Sequence, residues 1–168
     1  MGHKNEYGCL MAMVSPADGQ SIVKFGKSLI RDSDLYIKQG EEYGRETEPH
    51  VTILFGFNPD LKESEVRKII ADVRPFNITA QGISIFESAD FDVVKFDINK
   101  SGPLMELRER SIIYPHVSTF PNYHPHLTVA YVRKGTFTDK ITDKNISFKI
   151  NRLKYSSMNG DKGWHTLN

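Results

Sequence analysis

The sequence predicts an α+β protein in which helices pack on antiparallel sheets. Three observations carry this. Short apolar runs of strand length alternate with segments whose apolar residues recur at helical spacing. Cap and turn residues punctuate the boundaries between them. One short string, Pro-His-x-Thr, stands twice in strand-like surroundings, as Pro49-His50-Val51-Thr52 and Pro125-His126-Leu127-Thr128.

Tyr7 to Val14 is an apolar run and reads as a central strand. Ser15-Pro16-Ala17-Asp18 opens a helix with a capping Ser, a Pro in the first turn and an early acid. Ile22, Phe25, Leu29 and Ile30 then fall at helical spacing. Asp34 to Glu48 is polar and reads as an extended segment and loop that leads into the strand Val51 to Phe57. Asn58-Pro59-Asp60 is a turn. A second helix runs from Lys62 to Val73 with Val66, Ile69, Ile70 and Val73 on one face. Two strands follow, Phe76 to Phe86 and Phe91 to Ile98, joined by a polar turn. Ser101 opens a third helix with Leu104, Leu107 and Ile112 inward, and Tyr114-Pro115 ends it. A Pro- and aromatic-rich loop, His116 to His124, delivers the strand Leu127 to Val132. Thr136 to Asn145 reads as a short helix. Ile146 to Met158 alternates, and Gly160-Asp161-Lys162-Gly163 turns into a last strand, Trp164 to Leu167.

At 168 residues the chain has room for a sizeable core. A net charge of +1, from 22 basic and 21 acidic residues, speaks against holding long nucleic acid by phosphate neutralisation. The single cysteine, Cys9, excludes an intrachain disulfide and a cysteine-rich zinc site, and its apolar setting reads as a buried reduced thiol. No signal region and no membrane-length apolar run is seen, so a cytoplasmic setting and no membrane partner are expected. No His, Asp or Glu cluster has a metal-ligand spacing, so no metal or other cofactor is expected.

The duplicated string is the informative feature. With six His, nine Thr and eight Pro, random placement gives about 0.3 His-x-Thr strings and about 0.015 with a leading Pro. On a strand, residues i and i+2 point to one side. Each string therefore sets a His beside a Thr on one face. Two imidazoles and two hydroxyls suit acid–base chemistry on a phosphodiester, because histidine titrates near neutral pH. Hydroxyls steady the charge that gathers on the phosphate oxygens.

In these two motifs and their order along the chain, the sequence resembles the two-histidine (2H) phosphoesterase superfamily, which includes the LigT-type 2′-5′ RNA ligases and cyclic phosphodiesterases. The resemblance implies one bilobed domain over residues 1–168. It implies a pseudo-two-fold fold whose antiparallel sheets line a central cleft with helices outside. It makes His50, Thr52, His126 and Thr128 the catalytic four. The expected activity is metal-independent hydrolysis of a small nucleotide phosphodiester: a cyclic nucleotide or cyclic oligonucleotide signal, a 2′-5′ oligonucleotide or a 2′,3′-cyclic phosphate. Some phage and viral members degrade such immune signals, which would place the protein in a host cytoplasm. The alternatives are RNA end processing or 2′-5′ ligation, and a binding protein that sequesters a nucleotide without turnover.

The expected partner is a small nucleotide or short oligonucleotide, bound by a monomer. Tyr7, Tyr36, Tyr43, Phe57, Tyr123, Tyr131 and Trp164 are candidate stacking aromatics, with Tyr43 and Tyr123 preferred because each precedes a motif in a polar loop. Arg45 and Arg133-Lys134 are candidate phosphate contacts. The assigned substrate-binding set is Tyr43, Arg45, Tyr123, Tyr131 and Arg133. Pro115-His116-Val117-Ser118 also fits Pro-His-x-Ser but stands in loop chemistry, so His116 ranks below His126. His124 reads as a loop residue near the site, His165 as structural and His3 as part of a frayed terminus.

Overall fold

A computed structural model describes residues 5–118, 122–139, 141 and 145–168. Among these residues, seven strands and three α-helices make an α+β fold. They are β1 (Gly8–Val14), α1 (Pro16–Leu29), β2 (His50–Phe57), α2 (Glu63–Ile70), β3 (Phe76–Glu87), β4 (Phe91–Ile98), α3 (Gly102–Ser111), β5 (His126–Arg133), β6 (Ile146–Ser156) and β7 (Lys162–Thr166). The order across the sheet is β1-β2-β5-β4-β3-β6-β7, and β6 also pairs with β1. Every pairing is antiparallel. The long β6 closes the circuit: Ile146 to Ile150 pairs with β3 and Ile150 to Ser156 with β1.

The circuit has one thin seam. β2 and β5 share a single register pair, Val51 opposite Leu127. On either side of it, β1 is laddered along β2 and β4 along β5. Two halves therefore meet at the strands that carry the His-x-Thr strings. Beyond the seam the edge of β5 is taken by the segment before β2. Glu46 N–H donates to the Val129 carbonyl at 3.0 Å, and Tyr131 N–H donates to the Gly44 carbonyl at 2.7 Å.

Helices cover one face. Val51, Ile53, Leu127 and Val129 are buried there, each worth about 1.5–3 kcal/mol of apolar burial. The alternate residues of β2 and β5 are left for the opposite face. α1 begins as expected: the Ser15 hydroxyl accepts from Asp18 N–H. Its buried Gly26 packs so close to β5 that a Cβ there would stand 2.9 Å from Val129 Cγ1. α2 and α3 place Val66, Ile69, Leu104 and Leu107 in the same core.

Three expectations are corrected. Ile112 follows the end of α3 and is 45% exposed, not inward, because the helix stops one residue earlier. Phe57 is fully buried against Tyr155, not an exposed stacking platform. The short helix over 136–145 is absent from 136–139, 141 and 145; Ile141 instead bridges to Ile83. Residues 140 and 142–144 of that stretch, and His3, lie outside the described residues. Among the described residues no helix is long and apolar enough to cross a membrane.

Candidate active site

The seam sets the geometry of the site. With Val51 opposite Leu127, the antiparallel register puts His50 across from Thr128 and Thr52 across from His126. All four are half-buried, and their strand neighbours Val51 and Leu127 are fully buried on the helix side. The four side chains thus share the face opposite the helices. The two His are diagonal cross-strand neighbours, a relation that spans about 7–8 Å between Cα atoms. Each His sits beside both its own Thr and the other string's Thr.

Both imidazoles are held the same way. His50 Nδ1–H donates to the Glu48 carbonyl at 2.7 Å, and His126 Nδ1–H donates to the His124 carbonyl at 2.9 Å. A carbonyl can only accept, so each Nδ1 carries a proton, and each Nε2 is left free of that contact. The leading prolines tie the strings down. The Pro49 carbonyl accepts from Val14 N–H at 3.2 Å and the Pro125 carbonyl from Ile98 N–H at 3.0 Å. Pro also holds the residue before it extended, which is the backbone shape that lets each ring reach back two residues.

Two buried lysines border the pair. Lys95, on β4 opposite Thr128, is 5% exposed. Its ammonium donates to Ser84 Oγ at 2.7 Å, pairs with Asp97 and lies 4.2 Å from the Phe86 ring centroid. That ring meets His126 edge to face at 5.0 Å. Burial, with the charges of Lys95 and His50, holds the His126 pKa below the ordinary imidazole value, against the opposing pull of the His124 carbonyl and Asp97. Lys154 is 4% exposed and pairs with Glu48 at 2.5 Å. This holds the Glu48 carboxyl below its usual range, beside the backbone carbonyl that orients His50. Cys9 is half-buried, and burial pushes its thiol up to about 12, so it stays a thiol.

A cavity of about 570 Å³ opens from Thr52 and His126 and runs past Phe55 and Phe86 to Arg108, His116 and Tyr123. Of the expected substrate-binding residues the structure brings Tyr123 to this cavity. Its hydroxyl donates to the Thr52 carbonyl at 2.8 Å, and the Arg108 guanidinium lies 4.1 Å over its ring. The other four lie outside the cavity lining. Arg45 is bound into the end of α1, donating to the Gly26 and Ile30 carbonyls at 3.0 and 2.6 Å and pairing with Asp32 at 2.7 Å. Tyr43 and Tyr131 pack on each other and on Phe91. Arg133 donates to the Ser33 carbonyl at 3.1 Å. His124 lines the cavity; His165 is mostly buried, 3.8 Å from Glu63. Trp164 lies under Arg152 and Lys154. Sequence reasoning missed Lys95, Arg108, Phe55 and Phe86. For Lys95 a signal existed: a lone cation between Val94 and Phe96 in an apolar strand. Among the described residues no three His, Cys, Asp or Glu side chains converge as a metal site would require.

Solved structures share this fold. Usb1 of Kluyveromyces marxianus superposes with a TM-score of 0.62 at 13% identity, covering 98% of this chain and 99% of that one. TT0787 of Thermus thermophilus gives 0.60 at 12% identity, over 96% and 95% of the two chains. E. coli LigT complexed with 3′-AMP gives 0.56 at 12% identity, over 97% of each. No curated protein matches the chain. Residues 31–162 match the family described as the 2′-5′ RNA ligase superfamily. That match spans most of the sequence and takes in both His-x-Thr strings, and the chain belongs to this superfamily.

Proposed function

We propose that the protein is a phosphodiesterase that hydrolyses small nucleotide phosphodiesters, with His50 and His126 as its acid–base pair. The observation that carries this is the Val51–Leu127 register, which gathers both His and both Thr on one face. The shared Nδ1–H donation supports it, since it leaves both Nε2 atoms for proton transfer. Structures of the same fold hold small nucleotides, 3′-AMP on E. coli LigT and uridine monophosphate on Usb1.

In this reading neutral His126 takes the proton from the attacking oxygen through Nε2. The new P–O bond forms as the bond to the leaving oxygen breaks, and His50, protonated on Nε2, gives the leaving oxygen its proton. Thr52 and Thr128 donate to the non-bridging oxygens, and the Lys95 ammonium balances the charge that gathers there. His126 is assigned as base because burial and two neighbouring cationic groups favour its neutral form.

A pH prediction follows with a definite sign. The base works only when neutral, and its pKa is lowered, so the acid limb of kcat/KM lies below the ordinary imidazole range. Lys95→Gln removes a charge that disfavours imidazolium, so that limb moves to higher pH. A limb that moves down instead contradicts the assignment of His126 as base.

The substrate is found with a panel of cyclic dinucleotides, cyclic trinucleotides, 2′-5′ oligoadenylate and RNA ending in a 2′,3′-cyclic phosphate. Incubated in EDTA and resolved by chromatography, at least one gives hydrolysis products. Two imidazoles supply both proton transfers, so the rate is the same with and without chelator. Activity abolished by EDTA and restored by zinc or manganese would falsify the metal-free mechanism.

A further inference from the structure

A third Pro-His string, Pro115-His116-Val117-Ser118, takes no part in the chemistry above yet is built like the other two. The Pro115 carbonyl accepts from Asn58 N–H at 3.3 Å, and Val117 N–H donates to the Gly56 carbonyl at 2.8 Å. The string is therefore fastened to β2 as a short extra strand, with His116 bridged to Phe57. His116 Nδ1–H donates to the carbonyl two residues back, Tyr114, at 2.8 Å, as His50 and His126 do to theirs. Its Nε2 has no partner among the described residues. His116 lines the cavity that begins at Thr52 and His126.

Arg108 lines the same cavity. One guanidinium nitrogen donates to the Ile53 carbonyl at 2.8 Å, and the plane lies over Tyr123. No carboxylate pairs with it among the described residues, and burial holds its pKa below the ordinary value. A guanidinium with unspent donors and no counter-charge in a cavity wall is suited to a phosphate. Phe55 and Phe86, in the same wall, are 38% and 42% exposed, and such faces stack nucleobases. The volume falls within the range of about 300–1,000 Å³ usual for small-ligand sites.

We propose that Arg108 and His116 form a second phosphate-binding subsite, so that the preferred substrate is a nucleoside bounded by two phosphates. One phosphate is cleaved between His50 and His126, the other is held by Arg108 and His116, and the base lies against Phe86. This rests on the phosphodiesterase reading and narrows it to short linear or cyclic oligonucleotides over mononucleotides.

The test uses the four nucleoside 2′,3′-cyclic phosphates, each with a 5′-hydroxyl or a 5′-phosphate. In the native protein the 5′-phosphate raises kcat/KM by about 10-fold or more, the scale of hydrogen bonds to a charged group. Arg108→Gln and His116→Asn each bring that ratio close to one, and Arg108→Lys, which keeps the charge, retains part of it. No 5′-phosphate advantage in the native protein, or one unchanged in both variants, overturns the proposal. If no nucleotide is cleaved, the phosphodiesterase reading fails by itself and calorimetry still decides the subsite. Tighter binding of a nucleoside 3′,5′-bisphosphate than of its 3′-monophosphate, lost in His116→Asn, upholds it; equal binding in the native protein overturns it.

Discussion

His50→Ala and His126→Ala each lower kcat/KM by roughly 10²-fold or more, the scale of losing a positioned acid or base. Each deletion also leaves the opposite Thr facing a gap, because the Val51–Leu127 register sets His50 across from Thr128 and His126 across from Thr52. The double variant falls far less than the product of the single losses, since neither imidazole completes a proton relay without the other. Steady-state kinetics on the cleaved substrate, with thermal unfolding to show that each variant folds, checks this. Fully multiplicative losses would show that the two His act in separate events, and a single variant with native activity would remove that residue from the chemistry.

Gly56→Ala is expected to be the most damaging small substitution away from the histidines. Gly56 has φ +117°, a backbone conformation that an L side chain takes only under strain. A Cβ at this position would stand 2.3 Å from the Val117 carbonyl oxygen, so the strand carrying His116 would have to move off β2. Strain and overpacking together cost about 3 kcal/mol, which lowers Tm by roughly 6–12 °C for a chain of this size. Scanning calorimetry measures it, and a Tm within a degree of native would mean that the strip is not seated as described.

Much of this was legible in the sequence because it depends on local rules. The capping Ser15, the apolar periodicity of α2 and the alternation of β6 each act within a few residues, and each marks its element. The His-x-Thr strings were legible as strands because i and i+2 share a face whatever the strand pairs with. What the sequence does not carry is which edge meets which. Arg45 looks like a free loop cation, but the chain folds it onto the Gly26 and Ile30 carbonyls at the end of α1, where its donors are used. Tyr43 and Tyr131 lie far apart in sequence and meet because residues 44–46 take the edge of β5 that β2 leaves. The reverse holds for His116. Its neighbours are typical of a loop, and it becomes strand-like only through hydrogen bonds to β2 across the fold. Lys95 reads as a strand interrupted by a charge, and only the pairing of β4 with β5 shows that the charge lies beside Thr128.

His50 and His126 are expected to close on one phosphate. The direct measurement is nitrogen NMR of the imidazole rings during titration with a nucleoside 3′-monophosphate, the kind of ligand seen on E. coli LigT. The Nε2 signals of His50 and His126 are expected to move together and saturate at one Kd, while both Nδ1 signals keep the signature of a proton held by a carbonyl. Movement of one ring alone, or two different saturation points, would contradict a shared phosphate and with it the acid–base pair.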